Sequence, residues 1–260
     1  MSEFYAPETP SRVKNATGLH LITALTPNGR KAHIYLEELK DAYGLAFTIS
    51  LIDLDTEEQK KPWFLRLNPN GRIPLLIDNT TTPHPHPVME SSAILLYLYH
   101  KVDRAHKFGF ADPLLQSQVL QWTAFWAASG QPVQGQWNYF RRREGEGGGI
   151  HDDAAKKRFH DELLRVYHVL DAHLSGRYTA SSRAREYLAG PGAGQYTLAD
   201  INAWAWVRNL RGVGLEEGAL ARLPALAAWV ERVGARGPVQ RGALGEGYDE
   251  VVHPELVVRT

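Results

Sequence analysis

The sequence predicts an α/β protein in two parts. A small four-stranded mixed sheet, built in the order βαβαββα, occupies residues 18–103, and an all-α region occupies residues 112–238. Three observations predict this. Up to residue 102, short apolar runs rich in β-branched residues alternate with amphipathic stretches. A polar linker containing Gly109 and Pro113 follows. Beyond it the apolar spacing is helical throughout, and six of the seven tryptophans lie there, enough for a large aromatic core.

Each element has its own warrant. Residues 18–24 carry Leu19, Leu21 and Ile22 and predict a buried strand. Thr26-Pro27-Asn28-Gly29 predicts a turn. Residues 31–43 place Ile34, Leu36 and Leu39 on one face and stop at Gly44, a helix with a glycine end. Residues 47–54 alternate around Phe47, Ile49, Leu51 and Leu54, a second strand. Residues 62–67 predict a short helix, 73–77 a third strand, 79–87 a turn-rich connection and 88–89 a very short fourth strand. Residues 91–102 predict a second amphipathic helix. A helix joins the first two strands, so they should be parallel; a loop joins the last two, so they should be antiparallel. The outcome is a thioredoxin-like sheet. In the second part, residues 114–129, 150–174, 198–210 and 224–233 predict helices, with glycine-rich loops at 144–149 and 189–194. Thr197 and Asp200 have the spacing of a capping box, with Tyr196 and Ile201 as its hydrophobic staple, so Asp200 is expected to be structural. Residues after about Gly237 read as loosely ordered.

Composition excludes several functions. Lys plus Arg equals Asp plus Glu at 29 each, so no net field draws the chain to nucleic acid or to an anionic membrane, and neither partner is expected. There is no cysteine, hence no disulfide, thiolate metal site or protein thiol nucleophile. Any sulfur chemistry must use sulfur brought by a ligand. The longest apolar run, near residues 93–99, is too short to span a bilayer. Residues 1–15 lack the apolar core of a signal peptide, and a soluble cytoplasmic protein is expected. His84-Pro85-His86-Pro87 offers two imidazoles without further ligands, so no metal is expected. Arg141-Arg142-Arg143 reads as a solvated face, or as a rim that attracts anions. The glycines at 145–149 lack the Lys-Ser/Thr of a phosphate loop.

Three segments carry the chemistry. At Ile73-Pro74, a cis bond at the start of a thioredoxin-like strand turns the amide and carbonyl of Ile73 outward, where they can pair with a cysteinyl peptide as a strand would. The alternative is an ordinary edge-strand proline. Glu90-Ser91-Ser92 opens a helix whose free amides and partial positive charge suit a carboxylate. Ser91 adds a hydroxyl and Glu90 suits an ammonium, so the pair matches a γ-glutamyl group, which carries both charges on one carbon. The alternative is a plain N-cap. Thr26 and Asn28 offer neutral donors at a helix start, which favour a thiolate over a thiol; the alternative is a simple turn. Trp122, Phe125, Trp126, Trp137 and Phe140 read as core, with Trp126 and Phe140 the two chosen to wall an apolar site for an electrophile.

These residues resemble the glutathione S-transferase family, and within it the Ure2p-like, or nu-class, branch. Thr26-Pro27-Asn28-Gly29, Asn68-Pro69-Asn70 and Glu90-Ser91-Ser92-Ala93-Ile94-Leu95-Leu96 carry the resemblance. Gln121-Trp122, Ser129-Gly130-Gln131-Pro132, Gly135-Gln136 and Arg165-Val166-Tyr167-His168-Val169-Leu170 extend it, over roughly residues 18–238. It implies glutathione as co-substrate, with Asn28 and Thr26 beside its sulfur and Ile73, at Pro74, as the backbone clamp. It places Gln59 and Arg158 at the glycine carboxylate end and Glu90 and Ser91 at the γ-glutamyl end. It implies a homodimer, and a small electrophile or disulfide as second substrate. No tyrosine occupies the first strand-to-helix turn, and without cysteine the branch's disulfide reduction must run on ligand thiols alone. Two rival readings share the pocket: a non-catalytic module binding glutathione or an apolar ligand, and a glutathione-dependent etherase or dehalogenase.

Overall fold

Apolar runs form strands and longer periodic stretches form helices, in a computed structural model that describes residues 4–142, 152–178, 182–243 and 253–260. The chain runs through α1 (Ser11–Lys14), β1 (Leu19–Thr23), α2 (Pro27–Tyr43), β2 (Phe47–Ile52), α3 (Pro62–Leu67), β3 (Leu75–Asp78), β4 (His86–Val88) and α4 (Ser91–Val102). It continues through α5 (Pro113–Phe125), α6 (Gln131–Arg142), α7 (Asp153–Leu174), α8 (Leu198–Val207), α9 (Glu217–Leu220) and α10 (Pro224–Gly234), and ends with α11 (Gly237–Ala243) and β5 (Val257–Val258). The described residues form two units. One comprises those of Met1–Ala105 and Arg236–Thr260, the other those of His106–Ala235.

The first unit is a thioredoxin-like mixed sheet with strands in the order β4-β3-β1-β2-β5. Strands β1 and β2 pair in parallel, with Leu19 opposite Phe47. The pairs β1–β3 and β3–β4 are antiparallel, with Ile22 opposite Leu75 and Leu76 opposite Val88. Side chains alternate across a strand. Ile22, Ile52, Leu75 and Ile77 accordingly share one face and pack with Trp63, Phe64 and Leu67 of α3 and with Val13 of α1.

Two sequence expectations are corrected here. The sheet has five strands, because Val257 and Val258 pair in parallel with Leu51 and Ile52. Residues after Gly237, where described, are ordered: α11 packs along α2. Arg236 grips both oxygens of Glu38 at 2.7 and 2.8 Å, and Arg241 bridges Glu37 at 2.7 Å and Asp41 at 2.6 Å. The helices meet closely at Gly242, where a Cβ would fall 2.5 Å from Ile34 Cα. Another buried carboxylate, Glu58, is met by its own segment and by Thr260. It accepts from Trp63 Nε1 at 2.7 Å and from Thr260 Oγ1 at 2.8 Å, with Lys61 Nζ 2.6 Å away.

The second unit is helical, as expected. Its core includes Val119, Trp126, Leu163, Val166, Tyr167, Leu170, Ile201 and Trp229, all fully buried. The capping box at Thr197 and Asp200 is present. Asp200 also accepts from Leu188 N at 3.0 Å and Trp229 Nε1 at 2.9 Å, so one buried carboxylate ties three segments. Asp171 accepts from the amides of Ala225 and Leu226 at 2.9 and 3.0 Å and so caps α10. The glycine run at 145–149 and Arg143 lie outside the described residues. Arg141 packs over Gly214 and donates to the Gly212 carbonyl at 3.4 Å.

Candidate functional site

The register of the sheet gathers three loops at one end. Because Ile22 faces Leu75 and Leu76 faces Val88, the residues leaving β1, entering β3 and leaving β4 lie side by side. Those residues are Thr26–Asn28, Ile73–Pro74 and Glu90–Ser91, so seven predicted positions, counting Gln59 beside them, belong to a single unit.

Thr26 is the N-cap of α2, with its Oγ1 accepting from Gly29 N at 3.1 Å and Pro27 opening the helix. The hydroxyl proton is still available to donate, so capping and thiolate stabilisation are compatible uses of one side chain. Asn28 is half-buried in the first turn. Gly29 sits against the end of β1: a Cβ there would lie 2.2 Å from the Ala24 carbonyl oxygen and 2.4 Å from Thr23 Oγ1. The Pro-Asn-Gly order therefore reflects a close helix–strand approach that brings the start of α2 to the sheet end.

The Ile73–Pro74 bond is cis, with Pro74 buried and Ile73 half-buried. The turn before it is built by Asn68, whose Oδ1 accepts from Asn70 N at 3.0 Å and whose Nδ2 donates to the Arg72 carbonyl at 2.7 Å. Gly71 in this turn lies against the 3₁₀ turn Glu58–Lys60, 3.1 Å separating its would-be Cβ from the Gln59 carbonyl oxygen. Gln59 is thereby placed beside the site, and its Oε1 is buried with no hydrogen-bond partner among the described residues.

Glu90 is the N-cap of α4 at φ +66, a left-handed conformation that costs a non-glycine residue about 1–3 kcal/mol. Its side chain caps nothing; its Oε1 instead accepts from Asn70 Nδ2 at 3.0 Å. Ser91 follows at 5% exposure. The α4 N-terminus thus receives no cap from the Glu90 side chain, and that exposed carboxylate stands next to it, one feature for each charge of a zwitterion. Sequence reasoning missed two residues here. Asn70 stands in the Asn68-Pro69-Asn70 motif, and its partnership with Glu90 is not readable from spacing. Lys31, in α2, is fully buried; burial pushes its ammonium down to about 7 while the charge of Glu90 opposes the shift.

The remaining predicted positions belong to the helical unit. Arg158 is exposed on α7, on a face with Lys157, Asp161, Glu162 and Arg165. Phe140 is half-buried and stacks on Phe159, with centroids 5.6 Å apart and planes 17° from parallel. Trp126 is 0% exposed, with Gly130 lying against its ring. An enclosed indole has no open face for a ligand, so the core reading replaces the electrophile-wall reading at this position. Among the described residues, no cluster of three or more His, Asp or Glu could hold a metal ion, and no helix is long and apolar enough to cross a membrane.

Comparison with known proteins agrees with this fold. The family model for the glutathione S-transferase N-terminal domain matches residues 26–101, and that for the C-terminal domain matches residues 153–232. The disulfide-bond oxidoreductase YfcG of Escherichia coli (strain K12) is 32% identical, over 84% of this chain and 91% of that protein. A glutathione transferase from Burkholderia graminis, solved with two glutathione molecules bound per subunit, superposes with a TM-score of 0.75. It is 32% identical and covers 89% of this chain and 90% of that one. Ure2p solved in complex with glutathione gives a TM-score of 0.75 at 27% identity, covering 92% of this chain and 96% of that one.

Proposed function

Because the chain belongs to the glutathione S-transferase family, we propose that it binds glutathione on the thioredoxin-like unit and presents its thiolate to a small disulfide or electrophile. The observation that carries this reading is the convergence, at one end of one sheet, of a helix start bearing Thr26 and Asn28, a cis Ile73–Pro74 and the α4 N-terminus at Glu90–Ser91. The ligand lies extended. Its cysteine backbone pairs with Ile73 as an added strand. Its γ-glutamyl carboxylate takes the α4 amides and Ser91, and its ammonium meets Glu90. The amide of Gln59 serves the glycine end. Asn28 and the hydroxyl of Thr26 donate to the sulfur, lowering the cost of its ionisation without a titrating protein group.

With a disulfide the chemistry needs only ligand sulfur. The bound thiolate attacks one sulfur, the S–S bond breaks, and the departing thiolate takes up a proton. A second glutathione thiolate attacks the glutathione sulfur of the mixed disulfide. The products are glutathione disulfide and the second thiol, so two glutathiones are oxidised for each disulfide reduced. Similarity to the disulfide-bond oxidoreductase YfcG supports a disulfide as second substrate, and the two glutathiones bound by the Burkholderia graminis transferase are the number this chemistry uses.

The deciding experiment is turnover by the purified protein with glutathione and a small disulfide, and separately with an aryl halide, each against Asn28→Ala. Disulfide reduction that Asn28→Ala suppresses supports the reading. Retention on immobilised glutathione with no turnover of either substrate favours the non-catalytic module, and absence of both rejects the site.

A further inference from the structure

The 3₁₀ turn Glu58–Lys60 carries two neighbouring side chains in opposite circumstances. Gln59 is half-buried, and its Oε1 meets no hydrogen-bond partner among the described residues. Glu58 is 0% exposed, and its carboxylate is met on both oxygens. Oε1 accepts from Trp63 Nε1 at 2.7 Å and from Thr260 Oγ1 at 2.8 Å. Oε2 accepts from Thr260 N at 3.2 Å and lies 2.6 Å from Lys61 Nζ. Lys61 Nζ also donates to the backbone oxygen of Thr260, which closes a ring of three residues. Trp63 and Lys61 belong to the same short segment as Glu58, whereas Thr260 comes from 202 positions away. Strand β5 delivers it, with Val258 paired to Ile52 and Arg259 3.6 Å from Asp53. An anchored turn could be had from apolar contact alone. A satisfied polar network does more, because it fixes one arrangement of the backbone that bears it. That backbone includes Gln59, whose carbonyl oxygen lies against Gly71 in the turn before Pro74.

We propose that Thr260 is a positioning residue of the subsite for the ligand's glycine: by holding the Glu58 carboxylate it fixes the turn that presents Gln59. The inference rests on the glutathione reading above. Thr260 acts through Glu58 and the turn, not by contact with the ligand. One consequence separates this role from a merely structural one. The loss in binding on removing the Thr260 hydroxyl falls on ligands that carry the glycine and spares those that lack it.

The test compares wild type, Thr260→Val and Thr260→Ser by calorimetry with glutathione and with γ-glutamylcysteine, which lacks the glycine. Valine keeps the volume of threonine and removes the hydroxyl donor; serine keeps the donor. Thr260→Val should bind glutathione about fivefold more weakly, part of the tenfold or more that one hydrogen bond to a charged group is worth. Its affinity for γ-glutamylcysteine should be unaltered, and Thr260→Ser should match the wild type with both peptides. In a Gln59→Ala background, Thr260→Val should weaken glutathione no further. Equal weakening of both peptides, no change in either, failure of serine to restore binding, or a full effect without Gln59 each overturns the proposal. Should Thr260→Val fail to fold, Glu58→Gln replaces it under the same expectations, since it keeps the size of the side chain while weakening its hold on Thr260 and Lys61. Wild-type protein that binds neither peptide rejects the glutathione reading itself. Wild-type protein that binds the two equally has no glycine contact to position, and rejects only the role of Thr260.

Discussion

Asn28 and Asp200 illustrate two uses of a polar side chain at the start of a helix. Asn28 is half-buried in the first turn of α2, where the proposed site would receive the ligand sulfur. One hydrogen bond to a charged atom is worth about 1.5–3 kcal/mol. Asn28→Ala should therefore lower turnover by about tenfold to a hundredfold, as steady-state kinetics would record. Asp200 is enclosed in the helical unit, where burial pushes its carboxyl up to about 6 against the hydrogen bonds it receives from Trp229, Thr197 and Leu188. Asp200→Ala strands those buried donors and should cost roughly 3 kcal/mol or more in a denaturant titration. Asp78 behaves oppositely. Burial alone would raise its pKa, but hydrogen bonds from Lys101, Thr80 and Tyr97 outweigh it and hold the carboxyl at about 2. As pH falls, the unfolded chain then takes up a proton before the folded one does. The stability Asp78 contributes is complete above about pH 4 and disappears as pH drops towards about 2. Asp78→Asn should flatten that acid limb in a pH series of melting curves.

Elements that announce themselves locally were legible in the sequence, and elements defined by distant partners were not. The end of α2 at the left-handed Gly44 was read correctly, whereas its start was not: residues 26–29 read as a turn, and the helix in fact begins at Pro27 behind the Thr26 cap. The capping box at Thr197 and Asp200 is equally local. The convergence of Thr26, Pro74 and Glu90 followed from strand order, because parallel and antiparallel connections fix which loop ends meet. In contrast, β5 is two residues long and has no period to detect. Helix α11 is seven residues with two glycines and a proline, a composition that reads as loop; arginines pairing with Glu37, Glu38 and Asp41 some 200 positions earlier hold it in place. Trp126 was ambiguous for a related reason, since a buried ring and a pocket wall share one helical spacing. The closeness of α11 to α2 makes a sharp prediction. Gly242→Ala would set a methyl 2.5 Å from Ile34 Cα, where only backbone could yield. Overpacking of this kind costs about 1–3 kcal/mol, measurable as a lower denaturation midpoint.

At the scale of the whole chain, the first unit is completed by residues from the far end of the sequence. Removing residues 236–260 would strip Arg236 from Glu38, Arg241 from Glu37 and the Thr260 donors from Glu58. Each of those carboxylates is buried, and a buried carboxylate left without its partner destabilises by several kcal/mol. A protein ending at Ala235 should therefore lose cooperative unfolding in circular dichroism, and with it any affinity for glutathione. The same closure bears on biosynthesis. Domains usually form in order as the nascent chain emerges. Here the strand edge at β2 stays open while the entire helical unit is being translated, until Val257 and Val258 leave the ribosome to seal it. A chaperone that shields exposed strand edges would have its longest window of engagement on this unit, even though almost all of it is synthesised first.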